Sequence, residues 1–577
     1  MKRAIFLLLN IFFSSILIAG NNPELTKKNP KWNKTPVKSF PVNQNVINKT
    51  NSDIFLGATL YDYSESPIRL IARSEKGLHM AYMKTSTEET SQDITYDFLS
   101  NNTSAFLGNY KVTGNRTTAL GNITTGADNQ ALIAVSNNGI SIWRDSGEAQ
   151  FSFLEDTIFT DDGNIYSPRI DVQGNSIVVS LGNKIAYSAN NGSTWTFQDW
   201  PQNPNTDLVL GNLANEVLID PTNHNRLVSV YTMDDTTEAA AGEGLYLAVS
   251  ENAGQTWTNE LIVDEKFHEN GRQFLVENFA QLSSALDGQG HLHVAFNGYG
   301  REIFGKDTVF VFSIGYWNDV IREVIETAKL DTALTDQILN SFPGNGIGQA
   351  YPSIAVGENG DKVAIAFQGP EIDEEMKIVF ALDFPSDSLS EYMSTNIMMV
   401  TSAIDTHQKP FGFSDQQYIG GTYGWSDVFP SVSRRIDAEN NFELLYLEDY
   451  SPGVSLFLEG SDAHSDWVTQ GVSILCCIDI LGIDKTNPLN DFHLSQNYPN
   501  PFNPSTIIRY TLNKKSTVLL EVYDTNGRKI KTLVKDRQPP GLKNVTFDGT
   551  SLSSGVYFYQ LRINGRHAQS RKMLLIR

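Results

Sequence analysis

The octapeptide Ser188-Ala189-Asn190-Asn191-Gly192-Ser193-Thr194-Trp195 returns as Ser250-Glu251-Asn252-Ala253-Gly254-Gln255-Thr256-Trp257. The shared pattern, Ser-x-Asn-x-Gly-x-Thr-Trp, has the chemistry of a hairpin turn. A Ser hydroxyl and an Asn side-chain oxygen can accept backbone N–H groups inside a tight turn. Gly takes the positive φ that a side chain resists. Trp, where the chain returns, anchors the hairpin by burying a large apolar face. A looser third copy, Ser136-x-Asn138-Gly139 with Trp143, keeps the Ser-to-Trp spacing but shifts the Gly.

Around these turns, from Asp53 to Gly471, the chain repeats a strand, a Gly/Asn turn and a second apolar strand. Ser167-Pro168-Arg169-Ile170-Asp171-Val172 leads through Gly174-Asn175 to Ser176-Ile177-Val178-Val179-Ser180. Tyr351-Pro352-Ser353-Ile354-Ala355-Val356 leads through Gly360 to Lys362-Val363-Ala364-Ile365-Ala366-Phe367, and Phe429-Pro430-Ser431-Val432 leads to Phe442-Glu443-Leu444-Leu445-Tyr446. Proline suits a strand start, where its missing N–H is not needed. Weaker copies begin near Pro67, Ala131, Glu216 and Ala280. Units of this length, each with several short strands, predict the blades of a β-propeller.

The Ser-x-Asn-x-Gly-x-Thr-Trp signature resembles the Asp-box, or BNR repeat, of sialidases and sialidase-like β-propellers, with Asn in place of the usual Asp. The amide keeps the acceptor oxygen. The resemblance implies that Ser188, Asn190, Gly192, Trp195, Ser250, Asn252, Gly254 and Trp257 are structural. It also implies six blades, against seven candidate strand pairs in the sequence, so six or seven are expected. The catalytic pattern of sialidases includes Arg-Ile-Pro after Phe or Tyr. Ile68-Arg69-Leu70-Ile71 and Pro168-Arg169-Ile170-Asp171 approach it and lack the Pro, which argues against sialidase activity.

The far end of the chain carries a different pattern. It runs from Gln496-Asn497-Tyr498-Pro499-Asn500-Pro501-Phe502-Asn503-Pro504-Ser505-Thr506 through Asn526-Gly527-Arg528 and Ser554-Gly555-Val556-Tyr557 to Lys572-Met573-Leu574-Leu575-Ile576-Arg577. These blocks resemble the C-terminal sorting domain of type IX secretion substrates in the Bacteroidetes. The resemblance implies an immunoglobulin-like β-sandwich, read by the type IX secretion machinery, over residues 491–577. It makes Tyr498, Pro499, Asn500, Pro501, Phe502, Asn503, Pro504, Gly527, Gly555, Tyr557, Lys572 and Met573 the sorting signal. It implies passage through the periplasm to the cell surface or extracellular space.

The start of the chain fits export. Met1-Lys2-Arg3, an apolar run from Ala4 to Ile18 and Ala19-Gly20 read as a signal peptide over residues 1–20. The Asn-, Lys- and Pro-rich stretch 21–52 reads as a flexible leader, 53–481 as the propeller and 482–490 as a linker. A helical insertion is expected near 317–342. There Val320, Ile321, Val324, Ile325 and Ala328 follow helical spacing after Asn318-Asp319, and Thr335 to Leu339 can continue it. With the loop from Phe411 to Trp425 it is a candidate for shaping a binding face.

Charge narrows the partners. The chain holds 44 Lys+Arg and 66 Asp+Glu, a net of −22. From Asp491 onward the counts are 14 and 5, leaving 30 against 61 in the body. So acidic a body repels nucleic acid and anionic membranes. Beyond the first twenty residues no stretch is apolar for long enough to span a bilayer. Adjacent Cys476 and Cys477, in an apolar run, read as buried small hydrophobes.

Candidate chemistry is sparse. His291-Leu292-His293 puts two imidazoles on one strand face, a partial zinc set without a third ligand. Asp161-Asp162-Gly163-Asn164 and Asp234-Asp235 could offer oxygens to calcium, without ordered calcium-loop spacing. Glu371-Ile372-Asp373-Glu374-Glu375 reads as an exposed acidic loop. No catalytic set is assigned and no cofactor is expected, calcium being the possible exception. The expected function is a secreted or cell-surface module binding a glycan or a protein. The alternative is a glycan-active enzyme, a glycoside hydrolase or lyase.

Overall fold

The computed structural model describes most of residues 47–576. Outside it lie residues 1–46, several loops (the longer ones 60–68, 85–92, 161–167, 200–214, 234–243, 275–281, 340–347, 420–425, 450–464, 475–491 and 495–501) and shorter gaps. The described chain is nearly all β. Its helical segments are one 3-10 turn at Thr332–Leu334 and the short helix Thr335–Leu339. The chain divides into two compact units, Met1–Cys477 and Ile478–Arg577.

In the larger unit, seven mainly antiparallel sheets follow one another among the described residues, the first six running first to fourth strand in chain order. The first begins at Ile71–Arg73, the second at Ala119–Thr125, the third at Arg169–Gln173 and the fourth at Asn215–Ile219. The fifth begins at Leu282–Leu286, the sixth at Ala350–Gly357 and the seventh at Ser426–Val432. Each first strand lies against the first strand of the next sheet, and Ile71–Arg73 also meets Asn441–Asp449 of the seventh. The sheets therefore form a closed, β-propeller-like ring with the first strands innermost. The second sheet opens at Ala119–Thr125, so the pair expected near Ala131 starts one strand late.

An innermost strand is a sheet edge, and its N–H groups need acceptors. Each sheet supplies one to a neighbour. Leu70 N–H donates to Ser431 Oγ, Ile123 to the Arg69 carbonyl and Ile170 to Asn122 Oδ1. Ile219 donates to Asp171 Oδ2, Ser284 to Glu216 Oε2, Ile354 to Ser283 Oγ and Val432 to Ser353 Oγ. These bonds circle the ring once. They explain why polar residues interrupt otherwise apolar strands.

The seventh sheet is completed from the other end of the unit. Ser465–Ile474 pairs with Asn441–Asp449 on one side and with Ile54–Thr59 and Ile47–Lys49 on the other. Ile47–Lys49 falls in the stretch read as a flexible leader, which corrects that reading for these residues: an open strand edge captures them. The prolines also need correction. Pro352 and Pro430 sit inside innermost strands rather than at their starts, at register shifts where the ladder is broken and a missing N–H costs nothing. The residues before them, Tyr351 and Phe429, take positive φ of 51° and 55° and pack edge-on at 4.9 Å.

The first half of the expected helical insertion is a turn and a strand. Ser313–Asn318 ends in a turn in which Asn318 Oδ1 accepts the N–H groups of Val320 and Ile321. Ile325–Lys329 then pairs back on Ser313–Asn318 as the fourth strand of the fifth sheet. Only Thr335–Leu339 is α-helical. It lies in the connection between the fifth and sixth sheets. The hairpin of Gly300–Phe304 and Asp307–Val311 extends the second-to-third connection of the fifth sheet, and Phe380–Asp383 with Ser388–Met393 does so in the sixth. Phe312, Leu330, Leu334, Ile338, Ile378 and Met393 bury one another beneath these additions. Arg272 anchors them: fully buried, it donates to Glu326 Oε1 at 2.9 Å, to Ser313 Oγ at 3.1 Å and to the Gly298 carbonyl.

The smaller unit has two antiparallel sheets sharing one core. Phe492–Leu494, Ser505–Leu512 and Gly541–Asp548 make one; Lys529–Gln538, Ser516–Asp524, Gly555–Ile563 and Arg566–Leu575 make the other. Phe502, Ile508, Tyr510 and Phe547 pack with Val518, Leu520, Tyr559, Met573 and Leu575 between them.

Candidate functional site

The repeated octapeptides are the same turn twice, joining third to fourth strands in the third and fourth sheets. Ser188 Oγ accepts Gly192 N–H at 2.9 Å and donates to Asn190 Oδ1 at 3.0 Å; that oxygen accepts Thr194 N–H at 2.9 Å. Ser250, Asn252, Gly254 and Thr256 repeat these bonds at the same distances. Gly192 and Gly254 have φ of 86° and 83°. Trp195 and Trp257 pack, partly buried, against the cores of neighbouring sheet pairs. Asn191 N–H donates to the Asn175 carbonyl, and Ala253 N–H to that of Asn225. Each turn is thus tied to the first-to-second turn of its own sheet, at the same end of the ring.

The third copy is not such a turn. Ser136 ends a second strand and Gly139 begins the third, with Ser136 opposite Ile140. Trp143 therefore sits within a strand. The matching position in the second sheet is held by Asp145, whose carboxylate accepts the N–H groups of Gln150, Phe151 and Ser152.

At this end the innermost strands enclose a cavity of about 400 Å³. It is bordered by the first-to-second turns at Gly126 and Gly174 and by the segment Ser433 to Arg435. Four arginines, Arg69, Arg73, Arg434 and Arg435, and one carboxylate, Asp171, are the charged side chains in its wall. Arg69 reaches Glu216 Oε1 at 2.8 Å, and Arg434 pairs with Asp171. Arg73 pairs with Glu443, and Arg435 with the exposed Glu358 at 3.4 Å.

These pairs set the ionisation. Burial opposes charge on Glu216, yet Arg69, Arg434 and the Ser284 bonds outweigh it and hold the carboxyl below its ordinary value. Burial, then the charge of Arg434, pulls Arg69 down to about 10 against the opposing pull of Glu216. Sequence reading met Arg69 and Asp171 in incomplete Arg-Ile-Pro motifs and Glu216 at the start of a strand pair. The signal available was charged residues inside otherwise apolar innermost strands.

His291 and His293 share one partner. Asp287 Oδ2 lies 3.0 Å from His291 Nδ1 and 3.8 Å from His293 Nε2, while His293 Nδ1 lies 2.8 Å from Tyr316 Oη. The first sheet repeats this pairing: His79 Nδ1 is 2.7 Å from Tyr96 Oη and its Nε2 is 3.1 Å from Ser74 Oγ. Both imidazoles bridge second and third strands inside a sheet. Among the described residues no set of three His, Cys, Asp or Glu side chains is placed to hold a metal. Asp161, Asp162, Asp234, Asp235, Cys476 and Cys477 lie outside the described residues.

In the smaller unit Phe502 pairs with the last strand: its N–H donates to the Leu574 carbonyl at 2.9 Å and its carbonyl accepts Ile576 N–H at 3.0 Å. Met573 is fully buried opposite Tyr557, whose hydroxyl donates to the Ser553 carbonyl. Asn503 and Pro504 are exposed beside Phe502, and Gly555 opens the strand that carries Tyr557. Lys572 lies opposite Phe558. Tyr498, Pro499, Asn500, Pro501 and Gly527 lie outside the described residues.

Residues 496–576 match the family described as Secretion system C-terminal sorting domain. The chain thus carries a type IX sorting domain, which engages the secretion machinery and marks it for export to the cell surface or extracellular space. No curated protein matches the sequence. Similar solved structures include an ulvan lyase, a polysaccharide lyase bound to a GlcA–Rha3S saccharide (TM-score 0.40, 10% identity, covering 70% of this chain and 94% of that one). They also include the β-propeller domain of the trilobed protease from Pyrococcus furiosus (0.33, 8%, 71% and 94%). A third is an α-L-arabinofuranosidase from Podospora anserina (0.25, 12%, 54% and 91%). Among the described residues no helix is long and apolar enough to cross a membrane.

Proposed function

We propose that the exported body is a binding module: a seven-bladed β-propeller, closed by its N-terminal strands, that holds a glycan or protein at the outer surface. An immunoglobulin-like sandwich over residues 491–577 delivers it, and a signal peptide over residues 1–20 starts the journey. The repeated Ser-Asn-Gly-Trp turns serve as structural Asp-boxes.

One observation carries binding over turnover. The two acids that meet the cavity arginines, Asp171 and Glu216, are already committed. Both Asp171 oxygens are taken, by Arg434 and Ile219 N–H, and both Glu216 oxygens, by Arg69 and Ser284. A general acid must hold its proton near working pH, and the arginines keep Glu216 ionised. The ligand surface is the end of the ring opposite the cavity. There the second-to-third hairpins of two neighbouring sheets and the Thr332–Leu339 segment rise on a core of their own. The test pairs a glycan array with turnover assays on fluorogenic glycosides and acidic polysaccharides. Array binding without turnover is expected. Turnover abolished in a folded Asp171→Asn or Glu216→Gln protein would overturn the reading.

A further inference from the structure

The arginines that line the cavity carry more donors than the acids around them take up. A guanidinium has five N–H donors in a fixed fork. Arg69, with a side chain only 7% exposed, spends Nη2 on Glu216 and leaves Nη1 without a partner. Arg434 leaves Nε and Arg435 leaves Nη1 in the same state. A buried donor without an acceptor is destabilising, and more so when charged. Like charge adds to this, because Arg434 lies close enough to weaken the ionisation of both Arg69 and Arg435. Among the described residues Asp171 is the one carboxylate in the wall. The body around it is strongly acidic, so a cationic recess here runs against the composition.

We propose that this end of the ring is a binding site for one oxyanion group, a carboxylate, sulfate or phosphate, held by Arg69, Arg434 and Arg435. Forked guanidinium donors match such oxygens in pairs. The cavity admits a group larger than a single ion. Gly126 and Gly174 border it with backbone alone, so a sugar ring or short chain bearing the anion fits the same entrance. The site lies at the end of the ring that carries the Ser-Asn turns. It is separate from the loop surface proposed above, and either can fail without the other.

The test is calorimetric titration of the full chain with sodium sulfate, sodium phosphate and sodium glucuronate, ionic strength being fixed with sodium chloride. Saturable binding of at least one oxyanion is expected, and which one identifies the group. Arg435→Gln is the decisive variant, because its ion-pair partner Glu358 is exposed and the fold does not depend on it. It should weaken binding at least tenfold while leaving the melting temperature in chloride unchanged. Absence of any heat beyond chloride for all three anions would overturn the proposal. So would equal affinity in Arg435→Gln and the parent. Should Arg435→Gln fail to fold, Arg435→Lys, which keeps the charge but loses the fork, is read the same way.

Discussion

Arg69 and Glu216 meet at 2.8 Å, although one belongs to the first sheet and the other to the fourth. Both side chains are more than nine-tenths buried, and Glu216 also accepts the N–H and hydroxyl of Ser284 in the fifth sheet. One carboxylate thus ties three sheets. Removing one partner of a buried pair leaves the other uncompensated. Glu216→Ala should cost about 3–5 kcal/mol in urea unfolding. A cost below about 1 kcal/mol would mean that water replaces the carboxylate.

The same residue sets part of the acid limit. Its folded pKa lies below its unfolded one, so its contribution is complete above the ordinary Glu value and is lost as pH falls through the folded value. Asp287, held down to about 2 by His293 and His291 against its burial, behaves likewise between about 4 and 2. Asp287→Asn should flatten the stability curve in that window, as read by melting temperature against pH.

His79 acts in a higher window. Burial lowers it from 6.5 to about 4, so the folded protein keeps it neutral where the unfolded chain is protonated. Its stabilisation is complete above pH 6.5 and is lost as pH falls to about 4, a loss of about 3 kcal/mol. His79→Gln should remove this slope while costing stability at neutral pH. An unchanged slope would place the titrating group elsewhere.

The twin turns give a matched pair of tests. Ser188→Ala and Ser250→Ala should each cost about 1–2 kcal/mol, because each strands a glycine N–H. Asn190→Asp should stay within about 0.5 kcal/mol, since the acceptor oxygen remains. Gly192→Ala should cost more than either: its φ is 86°, and a Cβ there would stand 3.2 Å from Arg144 Nη2. Thermal melts of the four variants order these effects.

In the sorting domain, Phe502 joins the Pro-rich entry to the last strand. Phe502→Ala should cost that unit about 3–5 kcal/mol. Recognition of a folded tail then predicts accumulation in the periplasm, read by fractionation and immunoblot. The same applies to loss of Met573 onward. Normal surface display of the truncated chain would contradict the sorting role.

Sequence alone made parts of this legible. The Ser-x-Asn-x-Gly-x-Thr-Trp turns are local, and local hydrogen bonds leave a readable pattern. The seven strand pairs found by their turns each fall within one of the seven sheets. The segment after Trp317 misled because helical spacing of Val320, Ile321 and Val324 was outweighed by two longer-range facts. Asn318 turns the chain with its own side chain, and the edge of Ser313–Asn318 was open to Ile325–Lys329. The arginine-lined cavity was invisible for a different reason. Arg69 and Arg434 stand at opposite ends of the ring's sequence, and only closure brings them together.

That closure has a temporal side. Ile54–Thr59 finds its partner only in Ser465–Ile474, so a nascent chain carries an unfinished ring through almost all of its synthesis. The bonding partner arrives just before the sorting domain itself is made. Completion of the cargo and appearance of its address are therefore nearly simultaneous, and a chain cut short ahead of residue 465 would lack both at once.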